Sequence, residues 1–114
     1  MLETLAEMFK ALGEPTRLRL AVMLAGSGER CVCHLAAALD DPDYKASRHL
    51  GVLRAAGLVQ ARRQGTWMHY SLNDETNPQV AQVAGLLRTL AAGDPQFAAD
   101  LLRLDKSCCG VPAK

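Results

Sequence analysis

Glycine and proline punctuate this chain so often that it can build only brief elements. Gly13, Pro15, Gly26, Gly28, Pro42, Gly57, Gly65, Pro78, Gly93 and Pro95 divide it into short pieces. Within those pieces apolar residues recur at helical spacing, except after Leu58, where they alternate as in strands. With 114 residues, 49% of them apolar, there is enough material for one compact core and too little for two. No apolar run approaches the roughly 18 residues of a membrane span. Met1 to Leu12 carries Glu3, Glu7 and Lys10, which does not resemble a targeting segment, so a cytoplasmic protein away from any membrane is expected.

Leu2, Leu5, Phe9 and Leu12 predict a first helix closed by Gly13, a residue suited to the left-handed position that ends helices. A second opens at Glu14-Pro15 and runs through Leu18, Ala21, Val22 and Ala25. A third is expected from Glu29 or Arg30, burying Val32, Leu35, Ala36 and Leu39, until Asp40-Asp41-Pro42-Asp43 interrupts it. The fourth spans about Tyr44 to Ala56 with Ala46, Leu50 and Leu53 inward. Two short helices at a tight turn form a helix-turn-helix. Leu58–Arg63 and Thr66–Leu72, joined at Gln64-Gly65, predict a basic-tipped hairpin, a wing. Helices from Asn77-Pro78 to Gly93 and from Asp94-Pro95 through Leu104 complete the chain. The terminal helices carry more apolar surface than so small a domain needs, which predicts a symmetric homodimer. The expected fold is therefore mainly α with a small β-hairpin, a winged helix-turn-helix. Residues 1–105 form its DNA-binding and dimerisation domain, and residues 106–114 a flexible cysteine-containing tail.

Net charge is only +1, but its distribution is uneven. From Tyr44 to Asn73 there are five basic residues, Lys45, Arg48, Arg54, Arg62 and Arg63, and no acidic one. All twelve acidic residues lie elsewhere, against eight basic ones. A basic stretch is often no more than a solvated face, yet one free of acids that coincides with a helix-turn-helix and wing fits a polyanion.

The four cysteines, Cys31, Cys33, Cys108 and Cys109, would stay reduced in a cytosol and point to soft-ion binding, redox sensing or burial. Cys31-Val-Cys33 falls at a helix start, where the dipole and unpaired backbone donors favour thiolate. Thiolates select soft ions. In a regular helix, residues two apart point about 200° away from each other, so one ion could take both sulfurs only if the first turn loosened. Adjacent Cys108-Cys109 would make a strained ring if bridged to each other, so ion capture suits the pair better. His34 fits a helix surface, His49 the exposed side of the fourth helix, and His69 a wing strand. A thiol enzyme would need a nucleophile beside a placed base, which is missing, and Cys-Val-Cys lacks the two-residue spacer of thioredoxin-like motifs.

Three stretches, Phe9–Leu20, Ser47–Val59 and Arg62–Tyr70, occur in this order and resemble the arsenic-repressor (ArsR/SmtB) family of metal-sensing winged-helix regulators. The resemblance implies a repressor of a metalloid-resistance operon, bound to double-stranded operator DNA. Its fourth helix would enter the major groove with Lys45, Ser47, Arg48, His49 and Arg54, while Arg62, Arg63 and Gln64 of the wing lie against the backbone. Arsenite sensors of this family carry a third cysteine one turn after Cys-Val-Cys, giving a three-sulfur site for As(III) or Sb(III). Here that position is Ala36. The missing sulfur would then come from Cys108 or Cys109, of the same or the partner chain. Disulfide switching and capture of cadmium, lead or bismuth remain open on the same thiols. The family's zinc site on the dimer helix needs His and carboxylates, and Pro78 to Ala92 holds none.

Overall fold

The computed structural model describes residues 1–106. In chain order they form α1 (Leu2–Leu12), α2 (Pro15–Ser27), β1 (Arg30–Cys31), α3 (Val32–Leu39), α4 (Asp43–Ala55), β2 (Val59–Gln64), β3 (Trp67–Leu72), α5 (Pro78–Ala91) and α6 (Pro95–Lys106). Lys106, expected in the tail, closes α6.

Helix starts follow local chemistry. The Glu14 carboxylate accepts from the Arg17 amide at 2.9 Å, and Pro15 fills the first turn of α2, where no donor is needed. Asn77 caps α5 by accepting from the amides of Gln79 and Val80. Asp94 does the same for α6 through Gln96 and Phe97. Gly13 departs from expectation. Its φ of −75° is right-handed, so the chain turns from α1 into α2 without a left-handed residue.

The hairpin gains a partner that the sequence did not announce. The sheet has three antiparallel strands in the order β1-β3-β2. β1 pairs Arg30 with Tyr70 and Cys31 with His69. The third helix therefore begins at Val32, not at Glu29 or Arg30, with Cys31 extended as its N-cap. Two residues are too few to display an alternation, and Cys31-Val32 also continues the helical stripe of α3. The wing turn lies one residue later than expected. Gln64 pairs with Trp67, leaving Gly65-Thr66 as the loop, and Gly65 takes the positive φ (64°) that a two-residue hairpin loop of this hand requires.

The core is built from Met8, Leu20, Met23, Leu24, Leu35, Leu50, Leu53, Leu58, Val80 and Leu104. α1 buries Met8, Ala11 and Leu12, while Leu2 and Phe9 of its predicted stripe are exposed. α6 lies across α2 and α3. A β-carbon added at Gly26 would come within 3.3 Å of Leu101, a measure of how closely α2 and α6 approach. The Arg19 guanidinium donates twice to the fully buried Asp100, at 2.8 and 2.9 Å, and Gln96 donates to the same carboxylate at 3.0 Å. That bond raises the Arg19 pKa further. Arg30 reaches Asp105 at 3.3 Å, so the last turn of α6 sits beside β1.

Candidate functional site

α4 is fixed from beneath by Ala46, Leu50 and Leu53, all fully buried. That anchoring leaves Lys45, Ser47, Arg48 and Arg54 exposed. The Arg48 guanidinium stands 5.8 Å from the Tyr44 ring centroid, a cation–π contact that orients the longest donor on this face. His49 is less free than its neighbours, with Nδ1 3.9 Å from the Glu14 carboxylate that caps α2. Arg54 sits in the last turn of α4, away from the N-terminal half that carries the other donors.

On the wing, Arg62, Arg63 and Gln64 are all exposed, but the strand divides them. Arg62 pairs with His69 and Arg63 with Met68, so successive side chains leave opposite faces. Arg62 is already engaged. Its guanidinium donates to both oxygens of Glu29, at 2.6 and 3.1 Å, and to the Gln64 amide oxygen at 3.3 Å. The Arg62 hydrogen bond holds the Glu29 carboxyl below its usual range. Glu29 was foreseen only as a possible start of the third helix, not as a partner of the wing. Its position in sequence, far from Arg62 and beside a loop, gives no signal of this contact.

Cys31 and Cys33 come together more readily than helix geometry allows. Because Cys31 is extended at the end of β1 and Cys33 lies in the first turn of α3, their Sγ atoms are 3.0 Å apart. The expected loosening of a helical turn is unnecessary. Both residues are buried. Cys31, His69 and Arg62 also form one row across the sheet, since Cys31 pairs with His69 and His69 with Arg62. Cys31 and the wing thus share a sheet. Cys31 is a free cysteine, whereas Cys33 is disulfide-bonded, so the two sulfurs can serve one ion only once Cys33 is reduced. Burial first, then the charges of Arg30 and His69, lowers the His34 pKa and favours its neutral form. Among the described residues no three His, Cys, Asp or Glu side chains converge on a point where they could hold a metal ion. Cys108 and Cys109 lie outside the described residues.

A helix-turn-helix with an exposed basic face, followed by a basic hairpin, defines a winged-helix DNA-binding transcription regulator. Comparison with known proteins carries this further. Residues 14–61 match the family model of bacterial regulatory proteins of the arsR family. An arsenic resistance transcriptional regulator of Pseudomonas putida is 42% identical over 108 residues, covering 95% of this chain and 91% of that protein. The homodimeric winged helix-turn-helix DNA-binding domain of a possible ArsR-family regulator from Mycobacterium bovis superposes with a TM-score of 0.67 at 35% identity, covering 80% of this chain and 81% of that one. The antimony-specific transcriptional repressor AntR superposes with a TM-score of 0.64 at 34% identity, covering 81% and 80%. The chain belongs to the arsR family of bacterial transcription regulators, which are DNA-binding proteins and not enzymes. Among the described residues no helix is long and apolar enough to cross a membrane.

Proposed function

We propose that this regulator represses a metalloid-resistance operon in the cytoplasm and leaves its operator when cysteine thiolates take up As(III) or Sb(III). The observation that carries the reading is the 3.0 Å approach of the Cys31 and Cys33 sulfurs at the junction of β1 and α3. Each thiol gives its proton to one hydroxyl of a trivalent metalloid hydroxide, which leaves as water as the sulfur–metalloid bond forms, so two sulfurs leave one valence for a third. The Arg30–Asp105 contact at 3.3 Å supports a donor from the same chain, because Cys108 and Cys109 follow Asp105 within a few residues.

Capture would act on both reading elements. Cys31 and Cys33 already lie close enough for one centre, so the shift comes from drawing in the third sulfur, which loads the start of α3, against which α4 packs, and β1, which is bonded to wing strand β3. The ligand then binds the DNA-free arrangement more tightly than the DNA-bound one, which is what release requires. A second copy of the chain completes the repressor. Met1, Leu5, Phe9, Val83 and Leu86 line an apolar groove between α1 and α5, with Phe9 55% and Leu86 49% exposed. The relative from Mycobacterium bovis is described as homodimeric.

The test is fluorescence anisotropy of a duplex from upstream of the gene, bound by fully reduced protein and titrated with arsenite, antimonite, cadmium and peroxide. Release by arsenite or antimonite, lost in Cys31→Ser and weakened in Cys108→Ser with Cys109→Ser, is expected. The same close sulfur approach favours one competing reading, oxidation of the thiols to a disulfide. Release by peroxide alone would establish that instead, and release by cadmium alone would make this a sensor of soft divalent ions.

A further inference from the structure

The basic surface extends beyond the acid-free stretch of sequence. Lys10 near the end of α1, Arg17 in the first turns of α2, and Arg48 on α4 line one open groove of about 440 Å³, in which Glu7 is the single acidic residue. We propose that this groove is a further DNA contact, receiving the sugar-phosphate backbone that flanks the stretch read by α4.

The shape of the floor favours a polymer backbone over a side-chain partner. It consists of Gly51, Val52 and Ala55, on the outward side of the later turns of α4, and of Ala56, which caps that helix. A β-carbon built at Gly51 meets nothing within 4 Å, so the floor is open where a strand would approach closely. Cations stand around it. Lys10 and Arg48 are exposed, and Arg17 is aimed by donating its Nε to the Ala11 carbonyl at 2.7 Å, which ties the guanidinium to the end of α1. Arg48 belongs to both surfaces, so the groove continues the face of α4 and is not a separate site.

A second copy of the chain is the poorer occupant. At about 100° per residue, Glu7, Lys10 and Ala11 lie on roughly the opposite side of α1 from Leu5 and Phe9, which line the apolar groove against α5. The face suited to dimerisation points away. An apolar partner would leave the net positive charge unanswered, whereas phosphates answer it and release counterions.

The test measures operator affinity of the intact protein across a salt series. Lys10→Gln should weaken binding and reduce the log–log salt slope by about 0.9 per protomer, the value for one lost phosphate contact. Glu7→Gln removes the repulsive charge and should tighten binding, an outcome that misfolding cannot mimic. Gly51→Leu adds bulk to the floor in a position where a side chain has space and a helix gains propensity, so its fold should persist while DNA binding weakens. Unchanged affinity and slope in both Lys10→Gln and Glu7→Gln would overturn the proposal.

Discussion

Glu29 alters how the wing arginines should be weighed. In the DNA-free protein Arg62 already has a bidentate partner, so a phosphate must displace a carboxylate before Arg62 contributes, whereas Arg63 leaves the other face of the strand. The contact is exposed, and exposed pairs are individually weak, so displacement by a polyanion is feasible. Glu29→Gln should therefore tighten operator binding and steepen its salt dependence by up to about 0.9 log–log units per protomer. Arg62→Ala should flatten the slope less than Arg63→Ala does, and the two single variants should become equal on a Glu29→Gln background. Equal slopes in the native background would show that the Glu29 contact does not hold Arg62 against DNA. At this scale the sequence exposed the basic residues through the absence of acids among them. It concealed their partners, since neither Glu29 nor Glu14 neighbours in sequence the arginine or histidine that it meets in space.

Among the elements, helices were legible where a stripe ran for several turns and a cap marked the start, as at Glu14-Pro15, Asn77-Pro78 and Asp94-Pro95. β1 was not, and the reason is physical: a two-residue strand owes its existence to the free edge of β3, not to a pattern of its own. Missing it turned a simple geometry into an apparent conflict, because Cys31 and Cys33 diverge only if both are helical. α6 was foreseen from Asp94-Pro95 through Leu104, but what fastens it was not. Asp100 is a carboxylate on the buried side of α6, satisfied by Arg19 and Gln96. Asp100→Ala leaves Arg19 without that partner beside a gap, and should cost on the order of 3 kcal/mol, less than a fully buried pair because a quarter of the Arg19 side chain remains in water. Urea unfolding measures this directly. Because α6 leads into the chain segment bearing Cys108 and Cys109, Asp100→Ala should also raise the arsenite concentration needed for release while leaving metalloid-free operator binding within about twofold. A midpoint unchanged from the parent protein would detach α6 from sensing.

For the whole molecule, the exposed apolar stripe of α1 is the feature that a single copy cannot explain. Leu2 and Phe9 follow the helical period that predicted their burial, yet they are 76% and 55% exposed, and Leu86 and Leu90 on α5 are 49% and 66% exposed. Large apolar side chains gathered at two neighbouring helices are costly in water, roughly 25 cal/mol for each Å² of apolar surface left uncovered. A two-fold axis through this region would cover α1 and α5 of both copies with one self-complementary patch. It would also place two α4 helices for successive half-sites, so that affinity for a palindromic operator depends on the patch although no residue in it touches DNA. Phe9→Glu combined with Leu86→Glu should yield a monomer by sedimentation, with an unfolding midpoint that no longer depends on protein concentration. Operator affinity should fall at least 100-fold, while weak binding to unrelated duplex, which each copy provides through its own basic surfaces, changes little. A variant that remained dimeric with both glutamates in place would move the interface elsewhere, and one that became monomeric yet kept full operator affinity would remove the dimer from DNA recognition.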